Sequence, residues 1–196
     1  ADRDWSSDVC SSDLWTVGHE AGDITVLDGP SVDVHFYVTK GGRVYQFLPF
    51  DSQAWHAFHT ANSLTVGIET EGSGEAWTPI QLSAMGRLVA WICKRYSIPV
   101  KHAAPKSGDN NSLRGIFGHG DLSKGKVDGN NHSDNVPLGT GWTKFLVEVQ
   151  KNMARPGSSA PPKKPTLRQR LIAGFLKARF GSKSAVKAAD KYLREG

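Results

Sequence analysis

The chain has 196 residues, 38% hydrophobic and 22% charged, which is typical of one soluble globular domain with an appendage. No apolar run approaches the roughly 20 residues that span a bilayer, and two cysteines are too few for a disulfide framework. The net charge of +5 lies in the tail, since residues 167–196 hold eight Lys/Arg against two Asp/Glu; no nucleic-acid-binding motif accompanies it.

The first fourteen residues differ in composition from the rest of the chain. Asp4–Leu14 reads DWSSDVCSSDL, has no apolar periodicity, and resembles the translation of a common sequencing-library adapter. We therefore predict a non-native leader over residues 1–14, with a disordered polar leader as the alternative. On this interpretation the folded domain covers residues 15–155, and the native residues before Trp15 have been lost. No secretory signal is visible at the start of the chain.

The next segments predict loop and hairpin structure. Residues 15–30 are predicted as loop with one helical turn. Ser31–Val38 and Arg43–Leu48 alternate with a period of two and are separated by Gly41-Gly42, which predicts a β-hairpin. Residues 54–63 are predicted as a connecting loop rich in aromatic residues and histidine.

The stretch from Leu64 to Gly72 is predicted as a short strand around which the domain is organised. The alternation places Val66, Ile68 and Thr70 on one face and the two glutamates, with Gly67, on the other. A glycine inside a strand often marks close approach of a ligand or of backbone. We therefore expect an open face with a carboxylate, Glu69, beside it.

Two helices are predicted in the second half of the domain. Thr78-Pro79-Ile80-Gln81 has the residues of a helix N-terminus, and Pro99 follows the end of that helix. Trp142–Met153 is predicted as a closing helix. Between them, residues 116–119 are predicted as a buried strand end and residues 121–131 as loop. Residues 156–166 have the composition of a Pro-rich linker, and residues 167–196 are predicted as a basic helical tail or a truncated module.

Histidine and aspartate cluster twice downstream of Glu69, in GHGDL (Gly118–Leu122) and in HSDNVP (His132–Pro137). A carboxylate in an open sheet together with such clusters indicates metal-assisted hydrolysis. With these residues in view, residues 15–153 resemble the zinc amidase family of N-acetylmuramoyl-L-alanine amidases, phage endolysins and peptidoglycan recognition proteins. The resemblance rests on an ordered set of segments: VHFYVTKGGRVYQFLP, AWHA, NSLTVGIETEG, TPIQ, GHGDL and HSDNVP.

The resemblance implies a fold and a set of site residues. The fold is α/β, with a central mixed β-sheet flanked by helices and a short C-terminal helical tail. His119 and Asp134 would be zinc ligands, with Asp128 as an alternative to Asp134. Glu69 would be the catalytic carboxylate, and His132 would polarise the scissile carbonyl. His56 and Asn62 would contact the substrate.

The first zinc ligand of the family is absent from this sequence. Trp15-Thr16-Val17-Gly18 resembles the end of the family's His-x-Thr-x-Gly run, so the missing histidine would fall at Leu14. His19 is the alternative candidate for the same role. We therefore predict an incomplete metal site and weak or no activity for this chain.

The activity implied is zinc-dependent hydrolysis of the amide between N-acetylmuramic acid and L-alanine of peptidoglycan. We expect a monomeric, bacteriolytic endolysin that stays in the host cytoplasm until release and then acts at the bacterial cell wall. One alternative is a non-catalytic protein of the same fold that binds muropeptides. Another is a cytoplasmic recycling amidase that acts on anhydro-muropeptides. The peptidoglycan chemotype and the host are not predicted.

Overall fold

The computed structural model describes residues 9–16, 20–27, 33–50, 52–57, 59–127 and 133–155. The predicted linker and tail lie outside these ranges, as do Asp128 and His132. None of the helices in the described ranges is long and apolar enough to cross a bilayer. The strands are β1 (Val9–Thr16), β2 (Phe36–Val38), β3 (Val44–Gln46), β4 (Thr65–Glu71) and β5 (Ile116–Phe117), and the α-helices are α1 (Glu20–Leu27), α2 (His59–Leu64), α3 (Pro79–Tyr96), α4 (His119–Lys124) and α5 (Trp142–Met153).

The strands form a mixed sheet in the order β3-β2-β4-β1-β5, as the resemblance predicts. β2 and β3 are antiparallel, and the other neighbouring strands are parallel. β4 is the middle strand, which agrees with the prediction that Leu64–Gly72 organises the domain. Parallel strands bring their carboxyl ends to one edge of the sheet, where ligands of α/β proteins usually bind. That edge collects the ends of β1, β2, β4 and β5.

β1 is the largest departure from the sequence predictions. Val9–Thr16 pairs with β4 on one side and with β5 on the other, so the domain begins before residue 15. The paired strand thus begins six residues before Trp15, where sequence reasoning placed the start of the domain, and the non-native origin of residues 1–14 stays a prediction. The polar sequence of β1 lacks the alternation by which a half-buried strand is recognised, and this is why sequence reasoning missed it.

The predicted hairpin is confirmed, with shorter strands than the alternation suggested. β2 and β3 pair from Phe36↔Gln46 to Val38↔Val44. Gly42 closes the turn with φ of 76°, a conformation that glycine adopts without steric cost. A β-carbon at this position would also lie 2.4 Å from Cγ2 of Ile80, so the turn packs closely on α3.

α3 begins and ends where its capping residues indicate. The Thr78 hydroxyl accepts a hydrogen bond from the Gln81 N–H (3.1 Å), and Pro79 is the first helical residue. Ser97, in the left-handed conformation, ends the helix two residues before Pro99. α3 and α5 cover one face of the sheet and form the main core with the apolar residues of β2 and β4. The predicted bounds of α5 are confirmed.

Three predicted loops contain helices instead. α1 has eight residues, where one helical turn was predicted, and it is held by a buried hydrogen bond from the Tyr37 hydroxyl to Asp23 (2.5 Å). α2 occupies the second half of the predicted loop over residues 54–63. α4 follows β5 directly, in the region predicted as strand end and loop. α2 and α4 have six residues each, too few to show helical periodicity in the sequence.

Candidate functional site

The face of β4 opposite the α3 and α5 core carries the predicted catalytic carboxylate. Val66 and Ile68 are buried in that core, as the alternation predicts. Glu69 lies on the other face near the carboxyl end of the strand, and its side chain is only 3% exposed. Lys and Glu side chains are rarely buried to this extent in a protein interior unless partners or a function require it. The burial of Glu69 therefore favours a specific role for this carboxylate.

The bare backbone at Gly67 accommodates a side chain of the protein. A β-carbon on Gly67 would lie 2.4–2.8 Å from ring atoms of His56, so the imidazole lies flat against the glycine. The His56 Nε2 and Thr65 Oγ1 atoms are hydrogen-bonded (2.8 Å), and Nδ1 lies 3.2 Å from the Ala54 carbonyl oxygen. Burial, together with the nearby His35 and His119, lowers the pKa of His56 to about 3, so this ring is neutral at physiological pH.

Asn62 organises the loop that carries His56. Its Oδ1 atom accepts hydrogen bonds from the backbone N–H groups of His56 (3.1 Å) and Ala57 (2.7 Å). His56 and Asn62 are each 3% exposed, and their polar atoms contact protein groups. Substrate contact by these two residues stays a prediction.

A second buried histidine, His35, supports the same strand. The Gly67 N–H donates to Nδ1 of His35 (3.1 Å), so Nε2 of the neutral ring carries the proton and donates to the Ser52 carbonyl oxygen (3.2 Å). The rings of His35 and His56 meet edge to face, with centroids 6.1 Å apart. The His35 side chain is completely buried, so its ring is part of the packing behind β4.

α4 presents the predicted ligand His119 in its first turn. β5 runs into Gly118, the N-cap of this helix, and His119 follows with its side chain 5% exposed. The Gly118 N–H donates to Asp121 Oδ2 (2.9 Å), so Asp121 caps the helix. His119 therefore leaves the sheet at the edge where β4 carries Glu69.

The segment that holds Asp134 lies against the first turn of α4. The Gly120 N–H donates to the backbone carbonyl oxygen of Asp134 (2.6 Å). A β-carbon on Gly118 would lie 2.5 Å from Asn135 Oδ1, which shows how closely the two segments pack. The structure thus brings together the backbones of two predicted ligands that are fifteen positions apart in sequence. Asp134 itself is half-buried.

Position 14, where the missing first ligand is predicted, lies next to Glu69 in the sheet. Leu14 pairs with Glu69 in the ladder between β1 and β4, just after an irregularity between Ser12 and Leu14. His19, the weak alternative, lies outside the described residues. The backbone therefore places position 14 beside Glu69 on adjacent strands, and the assignment of the missing histidine to this position stays a prediction.

Zinc fits this set of residues only in part. Histidine and aspartate are ordinary zinc ligands, and His119 and Asp134 supply one of each. Leucine has no donor atom, and within the described ranges no three His, Cys, Asp or Glu side chains form a group that could hold a metal. The described part of this chain therefore does not complete a zinc site.

The chain matches one family along most of its folded part. A family model described as N-acetylmuramoyl-L-alanine amidase matches residues 7–135. The chain is 30% identical over 128 residues to the 1,6-anhydro-N-acetylmuramyl-L-alanine amidase AmpD of Haemophilus influenzae, an alignment that covers 61% of this chain and 59% of that protein. The match thus spans about three fifths of the length of this relative.

Solved structures show the same fold. The Staphylococcus aureus hydrolase AmiA in complex with its ligand superposes with a TM-score of 0.60 at 18% identity, over 79% of this chain and 77% of that one. The N-acetylmuramyl-L-alanine amidase AmiD from E. coli, in complex with anhydro-N-acetylmuramic acid-L-Ala-D-gamma-Glu-L-Lys, superposes with a TM-score of 0.55 at 17% identity, over 98% of this chain and 74% of that one. At this identity the likeness concerns the fold.

Proposed function

The chain belongs to the N-acetylmuramoyl-L-alanine amidase family, and on this premise we propose that its site hydrolyses the amide between N-acetylmuramic acid and L-alanine of peptidoglycan. The observation that carries the proposal is the burial of Glu69 (3% exposed) at the carboxyl edge of the sheet, where only β1 separates its strand from β5, which leads into the helix that presents His119. A buried carboxylate at this edge can take a proton from an attacking water and pass it to the leaving amine.

The other predicted residues have complementary roles in this proposal. His119 and Asp134 would be two zinc ligands, and a histidine at position 14 would be the third. Zinc at such a site would lower the pKa of a water and polarise the scissile carbonyl. His132 would stabilise the oxyanion that develops when water adds to that carbonyl, where positioned donors contribute most. With leucine at position 14 the donor set lacks one member, so we expect weak or no activity from the chain as written.

The whole-wall substrate and the endolysin type form the finer part of the proposal. The Pro-rich stretch over residues 156–166 and the basic residues 167–196 are typical of a tether followed by a segment attracted to anionic wall polymers. On this proposal a monomer is held in the host cytoplasm until release and then acts at the bacterial cell wall.

A second candidate function is hydrolysis of soluble anhydro-muropeptides. The AmpD relative is a 1,6-anhydro-N-acetylmuramyl-L-alanine amidase, and the AmiD structure is a complex with anhydro-N-acetylmuramic acid-L-Ala-D-gamma-Glu-L-Lys, which supports this substrate class. A third, the non-catalytic binding of muropeptides, is supported by Leu14, because a groove that lacks one ligand can bind without cutting.

One experiment separates the three functions. The full chain and its Leu14→His variant are incubated with purified cell walls and, separately, with soluble anhydro-muropeptides. Loss of wall turbidity with Leu14→His supports the endolysin-like function. Release of free stem peptide from soluble muropeptides alone supports the recycling function. Binding of both proteins to walls or muropeptides with no cleavage by either supports the binding function and overturns the proposed hydrolysis.

A further inference from the structure

The carboxylate of Asp121 joins two elements at the start of α4. Its Oδ2 atom accepts the Gly118 N–H (2.9 Å) and also the Nε2–H of His102 (2.8 Å). The Asp121 side chain is largely buried, whereas that of His102 is 37% exposed. A carboxylate that accepts two such bonds makes shorter and stronger contacts than a neutral acceptor would. Asp121 therefore restrains the backbone immediately before and after His119.

The His102 ring is itself held from two sides. Its segment extends the edge of the sheet, because the Ala103 N–H donates to the Ile116 carbonyl oxygen (2.8 Å) and the Ile116 N–H donates to that of Lys101 (2.9 Å). The ring stacks on Trp142, the first residue of α5, with centroids 3.8 Å apart and planes 17° apart. The ring thus has a fixed position when it donates to Asp121.

We propose that His102 is a positioning residue for the imidazole of His119. His102 fixes Asp121, Asp121 fixes the first turn of α4, and that turn determines the direction in which His119 points. On the opposite side the same turn is held by the bond from Gly120 to Asp134. Trp142 completes the arrangement by limiting rotation of the His102 ring.

This inference rests on the proposed function in one respect: the direction of His119 matters for activity only if its imidazole is a ligand of the site. The geometric part stands independently. A pair that served stability alone would leave the orientation of His119 unchanged when its hydrogen bond was lost, and the test is built on that difference.

The test compares two substitutions of similar bulk in the full chain. His102→Leu keeps apolar contact with Trp142 but removes the donor, and His102→Gln keeps a side-chain N–H that can reach Asp121. Trp91→Leu is the matched control, since Trp91 packs on Phe50 (centroids 5.5 Å apart) against the main core and its loss weakens the fold elsewhere. NMR signals of the histidine rings are recorded on the metal-free proteins, and unfolding midpoints confirm that each is folded.

We expect the His119 ring signals to shift and broaden in His102→Leu, to return in His102→Gln, and to stay unchanged in Trp91→Leu. If His102→Leu does not fold, Asp121→Asn serves in its place, because the amide oxygen still accepts the Gly118 N–H while the charged contact to His102 is lost. Unchanged His119 signals in the variant that lacks the contact overturn the proposal. So does an equal change in Trp91→Leu, or no recovery in His102→Gln.

A second measurement separates this inference from the proposed function. In the Leu14→His background we expect His102→Leu to weaken zinc binding by about tenfold to a hundredfold, the usual effect of losing a group that orients a ligand, and His102→Gln to recover most of it. If the Leu14→His protein binds no zinc while the His119 signals respond as expected, the metal proposal fails and the positioning role stands. If zinc binds and His102→Leu leaves its affinity unchanged, the positioning role fails alone.

Discussion

Gly67 lies against the imidazole of His56, and a β-carbon at position 67 would come within 2.4 Å of its Cγ atom. The glycine in this strand predicted an open face that a ligand or backbone would approach. The occupant is instead a buried, neutral histidine of the same domain, hydrogen-bonded to Thr65. The His56 ring therefore occupies the space beside Glu69, and a glycine is required at position 67 for that ring to pack against β4.

Gly67→Ala tests this contact. Because the methyl group would overlap a ring that is fixed by Thr65, we expect a loss of about 1–3 kcal/mol in the free energy of unfolding, measured by denaturant titration. Gly41→Ala is the matched control, since the nearest atom to its added β-carbon is Thr39 Oγ1 at 3.7 Å, an ordinary contact. Equal stability of the two variants would contradict the packing role of Gly67.

A second pair of glycines tests the contact between the two long helices. Gly86 in α3 faces α5, where an added β-carbon would lie 2.5 Å from Cγ and 3.2 Å from the backbone carbonyl carbon of Glu148. The overlap in Gly86→Ala should therefore lower the free energy of unfolding by about 1–3 kcal/mol. The higher helix propensity of alanine should offset about 1 kcal/mol of that loss.

Gly22→Ala in α1 is the control for Gly86. No atom of the described residues lies within 4 Å of the β-carbon built at this position, so the gain in helix propensity should appear alone, as a stabilisation of up to about 1 kcal/mol. Thermal and denaturant unfolding of both variants measure the difference. A stabilised Gly86→Ala would show that α3 and α5 are not in close contact at this point.

The buried His56 predicts how stability depends on pH. Its pKa is about 3 in the folded protein and near 6.5 in the unfolded chain, so between these values the unfolded chain binds a proton that the folded protein does not. The contribution of His56 is therefore fully present above pH 6.5 and is lost as the pH falls towards 3, by up to about 1.4 kcal/mol per pH unit. The free energy of unfolding, measured from pH 7 to pH 4.5, should fall less steeply in His56→Gln than in the parent; identical slopes would show that His56 titrates normally when folded.

Zinc content tests the role of position 14. The chain as written should hold less than one tightly bound zinc per molecule, and Leu14→His should bind one, because position 14 pairs with Glu69 at the edge where α4 presents His119. Atomic emission on the dialysed proteins measures this, with Leu14→Asn as a polar control that is a poor zinc ligand. One tightly bound zinc in the parent chain would refute the idea of an incomplete site.

Glu69→Gln tests the catalytic carboxylate in the Leu14→His background. Loss of the proton acceptor should lower the rate of amide hydrolysis by about 10²–10⁴-fold with the zinc content unchanged. Glu71→Gln is the control on the same face of β4. The Glu71 carboxylate accepts a hydrogen bond from the backbone N–H of Lys40 (2.7 Å), so it stabilises the hairpin between β2 and β3. Similar rates for the two variants would remove Glu69 from the proposed role.

Local signals in the sequence were sufficient for several elements. The alternation around Glu69 predicted both faces of β4, and the cap formed by Thr78, Pro79 and Gln81 predicted the start of α3. These succeeded because each depends on residues within one turn or one strand. The glycine pair of the hairpin succeeded for the same reason.

The parts that failed depend on contacts between distant segments. β1 has a polar sequence and is specified by its neighbours β4 and β5, not by its own pattern. His102 and Trp142 are forty positions apart, and nothing in either segment alone indicates that they stack. The nearness of Asp134 to α4 was implied by the family resemblance alone, because sequence spacing does not show the backbone hydrogen bond from Gly120 that holds it there.

The location of β1 has a consequence for any shortened version of the protein. A chain trimmed to start at Trp15 would lose six of the eight residues of this strand, and β4 and β5 would each expose a row of amide groups along a newly opened gap. Bare strand edges recruit extended segments from other molecules. We therefore expect a chain that starts at Trp15 to aggregate more readily than the full chain.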